Sequence, residues 1–199
     1  MLLEVDHVIV CVPDLGASVS AFESDHRIDS VGGGRHRGHG TANRLIPLGP
    51  SYIELVAVVD TGEAQESSFG TWVAENSTRP GADAIAIRTD DLDAVCERLS
   101  LEPLSMSRRN PDGAELRWRI AGMEHLVTSG LPFFIEWDVE PDLHPGRAGV
   151  IHPRGEVRIG EVVVSGDRDR LRQWTAGVSG LVVESGPVGA RFDLVDSRL

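Results

Sequence analysis

The sequence predicts an α+β fold in which two βαβββ modules pair into a cupped mixed sheet or barrel with helices outside, followed by a partial third βαβ unit. Three observations carry that expectation. Short β-branched stretches alternate with single helices, the order of elements in residues 3–60 recurs in residues 82–140, and a fainter echo starts at Ile159.

In the first module, the stretch from Val5 to Val12 is rich in β-branched residues and reads as a buried strand that Pro13 ends. Asp14 is placed to cap a helix from Leu15 to Ser24, with Val19 and Phe22 on its apolar side. Residues 28–31 supply a second strand, and residues 32–40 read as a glycine-rich loop. Two more strands, Arg44 to Leu48 and Tyr52 to Val59, flank the turn Gly49-Pro50-Ser51.

The polar stretch from Thr61 to Arg79 reads as a linker with a helical turn around Trp72. After it, Asp83-Ala84-Ile85-Ala86-Ile87-Arg88 aligns with Asp6-His7-Val8-Ile9-Val10-Cys11, and Asp91-Leu92 falls where Asp14-Leu15 fell. A helix from Leu92 to Leu99, a strand near Leu104, a turn at residues 110–113, a strand from Glu115 to Ile120 and a final strand from Pro132 to Val139 complete the second module. Within the final strand, Phe134-Ile135-Glu136-Trp137 aligns with Tyr52-Ile53-Glu54-Leu55. The third unit runs through a strand at Ile159 to Val164, a helix from Asp169 to Ala176 and strands near Leu181 and Phe192. The paired modules thus occupy residues 1–146, and residues 155–199 form a partial repeat packed on the same domain. As a lone partial sheet it would add a lid, extend a sheet or contribute to a homodimer.

Composition narrows the function classes. A formal net charge of -12 repels polyanions, so neither nucleic acid nor an anionic membrane is an expected partner. The opening MLLEVDHVIVCV carries Glu4 and Asp6 within its apolar run and reads as neither a signal peptide nor a spanning helix, so a cytoplasmic location is expected. Cys11 and Cys96 are too few for a disulfide framework or a Cys-rich zinc site. All 19 basic residues are arginine, which removes Schiff-base lysine chemistry and the P-loop lysine.

Strand alternation puts His7, Ile9 and Cys11 on one face and Val8, Val10 and Val12 on the other. Tyr52, Glu54 and Val56 share a face by the same count, so His7 and Glu54 are expected to converge. The aligned positions in the second module are Ala84 and Glu136, the latter sharing a face with Phe134 and Asp138. The ordered motifs VDHVIVCVPDL, GGGRHRGHGTANRLIPLG, SYIELVAVVD, LPFFIEWDV and DLHPG, spanning Leu3 to about Gly146, resemble the glyoxalase-like domain family of the vicinal oxygen chelate superfamily. That resemblance implies a divalent metal, Fe, Mn or Zn, held by His7, Glu54 and Glu136, with open positions for the oxygens of a small-molecule ligand. Ala84 departs from the family pattern because its methyl group carries no donor atom.

The resemblance also places His36, which falls on a GG-x-x-H pattern, beside the pocket mouth, together with Asn43, Tyr52, Phe134 and His144 as substrate-binding candidates. The polar candidates have plainer readings, His36 and His39 as loop histidines and Asn43 and His144 as turn residues, and Trp137 and Phe133 read as core rather than as a cofactor platform. Arg108, Arg109, Arg117 and Arg119 suit a carboxylate ligand or a solvated sheet face. Two function classes stay open: a metal-dependent lyase, isomerase or dioxygenase acting on a small oxygenated metabolite, and a metal-free protein that binds or sequesters a small molecule.

Overall fold

The computed structural model describes residues 1–79, 81–109 and 115–197, so the turn expected at residues 110–113 lies outside the described residues. The first module consists of β1 (Leu3–Cys11), α1 (Leu15–His26), β2 (Val31–His36), β3 (Thr41–Pro47) and β4 (Tyr52–Val58). Two helices, α2 (Thr61–Gln65) and α3 (Ser68–Asn76), fill the connection. The second module is β5 (Ala84–Thr89), α4 (Leu92–Leu99), β6 (Leu104–Arg109), β7 (Glu115–Ala121), α5 (Met123–Ser129) and β8 (Phe133–Trp137). Beyond two 3-10 turns, β9 (Val157–Gly166), α6 (Arg168–Trp174), β10 (Leu181–Ser185) and β11 (Gly189–Asp196) form the third unit.

Eight strands make one mixed sheet in the order β2-β3-β4-β1-β5-β8-β7-β6. Its halves mirror each other: β1 runs parallel to β4, β5 runs parallel to β8, and the antiparallel pair β1–β5 joins them. The sheet curls far enough for Arg108 on β6 to approach Gly34 on β2, although those strands are its two opposite ends. Asp14, expected to cap its helix, accepts from the Ala17 amide, and Asp91 at the matching offset accepts from the Ala94 amide. Each such cap is worth about 1 kcal/mol.

Two segments differ from the sequence expectation. The glycine-rich stretch is the edge strand β2 rather than a loop, because its missing side chains let β3 come close: a Cβ on Gly33 would overlap the Asn43 carbonyl and Oδ1. The helix α5 is absent from the sequence expectation; it begins after Gly122 and ends at Gly130, both at positive φ.

Apolar packing sits on both faces of the sheet. The convex face of β1, β4, β5 and β8 carries Val8, Ile53, Leu55, Ile85, Ile87 and Phe134 under α1 and α4. The three-stranded sheet β10-β9-β11 closes over its centre through Val157, Val162, Val164 and Phe192, and Trp174 of α6 donates to the Pro132 carbonyl at 2.7 Å. On the concave face, Ile9, Cys11, Val56, Ala84 and Ala86 meet Trp72 and Val73 of α3 and Leu126 of α5. These helices fill part of the cup and leave a polar end beside β2, β3 and β4. Among the described residues, no helix is long and apolar enough to cross a membrane.

Candidate functional site

A bulge in β1 builds the heart of the polar end. Pairing with β5 runs Val5 to Ile87 and then His7 to Ala86, so Asp6 is an extra residue opposite no partner. A bulge re-aims side chains, and here the consecutive Asp6 and His7 meet: His7 Nδ1 donates to Asp6 Oδ2 at 2.8 Å. The other carboxylate oxygen accepts from Trp137 Nε1 at 3.2 Å and from His144 Nε2 at 3.0 Å. His144 Nδ1 accepts from the Gly146 amide, which fixes its proton on Nε2. Burial alone would raise the Asp6 carboxyl, but the hydrogen bonds from His144 and His7 outweigh it and hold the group well below the usual carboxylate range.

With its Nδ1 bonded to Asp6, His7 turns Nε2 toward Glu54, whose Oε2 lies 3.5 Å away. The His7 ring stacks on Tyr52 at 4.4 Å and meets the edge of Phe133 at 5.7 Å. Glu54 Oε1 accepts from Asn43 Nδ2 at 2.7 Å and lies 3.5 Å from His36 Nε2. Asn43 is held in turn by the Gly34 amide, which donates to its Oδ1 at 2.6 Å, and His36 Nδ1 is bonded to Thr41 Oγ1 at 2.9 Å. Burial lowers the His36 pKa against the opposing pull of Glu54. Burial, with the charges of Asp6 and Glu54, pushes the Tyr52 phenol well above its ordinary value. His7 and Glu54 are 3% and 8% exposed, whereas the His36 side chain is 27% exposed and marks the open side.

The structure therefore brings together His7, Glu54, His36, Asn43, Tyr52 and His144. It does not bring Glu136 or Phe134 to them. Pairing runs Ile9 to Glu54 in the first module and Ala86 to Phe133 in the second, so Phe133, not Glu136, occupies the place equivalent to Glu54. Glu136 lies on the opposite face, where it accepts from Arg119 Nε at 2.7 Å and from the Leu92 amide at 3.1 Å. Phe134 is fully buried in the convex core beside Trp174. Asp6 went unnoticed in the sequence because regular alternation assigns it to the face opposite His7; only the bulge reverses that.

The donor set expected for a divalent metal is accordingly incomplete. Ala84 has no donor, Phe133 stands in the place equivalent to Glu54, and Asn43 donates to the one carboxylate that remains. Among the described residues, no group of three or more His, Cys, Asp or Glu side chains is arranged to hold a metal ion. Two clefts lie elsewhere. One of about 650 Å³ is lined by Arg88, Met106, Trp118, Glu136 and Trp137, and another of about 870 Å³ by Val12, Phe22, Arg79, Arg154 and Phe192; His7 and Glu54 line neither.

The sequence profile of the glyoxalase-like domain family matches residues 5–179. The chain belongs to the glyoxalase-like domain family. This glyoxalase-like chain is similar over its whole length to the crystal structure of a hypothetical protein from Staphylococcus aureus. The two are 17% identical, the match covers 100% of this chain and 93% of that one, and the TM-score is 0.73. The third unit is thus part of the shared fold. Also similar are methylmalonyl-CoA epimerase from Mycobacterium tuberculosis (23% identity, 70% of this chain, 89% of that one, TM-score 0.48) and the Streptomyces coelicolor epimerase in complex with 2-nitronate-propionyl-CoA (21%, 69%, 94%, 0.49). No curated protein matches the glyoxalase-like chain.

Proposed function

We propose that the protein binds a small carbonyl-containing metabolite over His7 and Glu54 and moves a proton on the carbon beside that carbonyl, as an isomerase or lyase does. One observation carries this reading: His7 Nε2, oriented by Asp6, faces a carboxylate at 3.5 Å in a nearly closed site. An unprotonated imidazole held that way is a general base. His7 Nε2 takes the proton, the C–H electron pair moves into the new carbon–carbon double bond, and the carbonyl π pair moves onto oxygen. The imidazolium formed is flanked by Asp6 and Glu54, whose negative charges offset its cost in a site of low dielectric. Return of the proton to either face completes an isomerisation, and loss of a neighbouring leaving group completes a lyase reaction. Tyr52, kept protonated by burial, supplies a hydroxyl donor beside the base. Entry is from the His36 side, the more exposed end of the site.

The test is solvent exchange. Small 2-oxo acids and aldehydes incubated with the protein in D2O should gain deuterium beside the carbonyl, and His7→Ala should lose that activity. Saturable binding without exchange would replace this reading with sequestration of a small molecule. His7-dependent uptake of manganese, iron(II) or zinc together with metal-dependent exchange would replace it with a metal-assisted reaction.

A further inference from the structure

The site as described is rich in negative charge, with Asp6 and Glu54 both buried, in a chain of net charge -12. An anionic ligand would be repelled from it unless a cation were built in. Arg108 is in the right place to be that cation. It extends from β6 across the gap to β2, so that a Cβ on Gly34 would lie 3.1 Å from its Cδ and 3.3 Å from its Nη1. Its charge reaches into the polar end of the cup, where it acts on both His36 and Tyr52. Its Nε is buried and has no hydrogen-bond partner among the described residues. A buried donor left unmade is costly, so such a group points to a missing acceptor.

The other well-placed arginines contrast with it. Arg35 pairs with Asp60 and Glu63, Arg88 with Glu4, Arg117 with Asp138, Arg119 with Asp93 and Glu136, and Arg191 with Glu184. Among the described residues, no carboxylate forms an ion pair with Arg108. A guanidinium presents its donors as a planar fork that matches the two oxygens of a carboxylate.

We propose that Arg108 is the anion-recognising residue of this site, so that the ligand is a small carboxylate, its acid group against Arg108 at the His36 side and its carbonyl end over His7. This deepens the reading above and rests on it for the position of the carbonyl, but not for the anion itself. It makes a 2-oxo acid the class of ligand that fits both ends. Gly34 then has a specific role: its missing side chain leaves the room through which Arg108 enters.

The test is binding, measured without turnover. The full chain is titrated with benzoylformate and 2-oxoisocaproate and with their neutral amides, following arginine Nε–H signals by NMR. The acids should saturate and shift one Nε–H signal that is missing in Arg108→Gln, and should bind at least tenfold more tightly than the amides. Arg108→Gln should abolish that preference and Arg108→Lys restore part of it. Arg108→Met, which keeps the apolar stem of the side chain and removes its charge, should abolish the preference in the same way; it also decides the matter if Arg108→Gln does not fold. Equal binding of acids and amides, acid binding indifferent to Arg108, or no binding of either acid would overturn the proposal. Acid binding through Arg108 without deuterium exchange would leave it standing while removing the proton-transfer reading. Exchange on 2-oxoisocaproate that is unaffected by Arg108→Gln at subsaturating concentration would do the reverse.

Discussion

Asp6 holds two histidines at once, His7 through Oδ2 at 2.8 Å and His144 through Oδ1 at 3.0 Å, and is itself fully buried. Removing a buried charge that others pair with costs about 3–5 kcal/mol. Asp6→Ala should lose about that much in urea denaturation at pH 7. Because the folded carboxyl is depressed, its contribution is complete above the ordinary value of 3.8 and is lost as pH falls through the lower value of the folded protein. The stability gap between wild type and Asp6→Ala should therefore hold from pH 7 to about 4 and narrow below it; a gap unchanged at pH 2.5 would contradict the assignment.

His7→Ala should reduce deuterium exchange by at least about 100-fold, the scale of a lost general base. The fold should persist, since Val8 and Val10 of the same strand pack on the other face. Circular dichroism and an exchange assay on one preparation check both halves of the statement.

Glu54 and Glu136 should respond differently. Glu54→Gln should lower exchange at least tenfold, through loss of the charge that stabilises a His7 imidazolium. Glu136→Gln should leave exchange unchanged and cost within about 1 kcal/mol, because its partner Arg119 is a third exposed and also pairs with Asp93. A dead Glu136→Gln enzyme would show that the face assignment is in error.

Gly33→Ala should destabilise the protein by about 1–3 kcal/mol, since the new methyl meets the Asn43 backbone and forces β2 from β3. The same shift should loosen Asn43 from Glu54, so exchange should fall along with the melting temperature.

Trp174→Ala should cost about 3–5 kcal/mol. The indole lies beside Phe134 and His125 and donates to the Pro132 carbonyl, so it ties α6 to the convex core. A loss under 1 kcal/mol in chemical denaturation would mean that the third unit is only loosely attached.

Much of the fold was legible because strand period and helix caps are local signals: Asp14 and Asp91 mark two helix starts at equal offsets. The convergence of His7, Tyr52 and Glu54 on one face could be read for the same reason, whereas His36, Asn43 and His144 were candidates only through the family resemblance. Glu136 could not. The aromatic-Ile-Glu pattern shared by residues 52–54 and 134–136 suggests one alignment, while the hydrogen-bond register follows another, three residues away, with Phe133 in the place of Glu54. A shift by an odd number of residues turns every side chain to the other face, so a match of residue types was enough to put the second carboxylate on the wrong side. Asp6 escaped for a related reason, since a bulge breaks alternation without leaving a glycine or proline to announce it.

The placement of the three-stranded sheet has a kinetic consequence. Its residues Val162 and Val164 pack in one cluster with Val8, Ile85 and Ile87 on the convex side of β1 and β5. The strand that carries His7 therefore keeps part of its convex side uncovered until residues 157–196 have left the ribosome. During synthesis the nascent chain holds an apolar β-rich surface open for more than a hundred residues, an interval in which aggregation competes with folding and chaperones have something to grip.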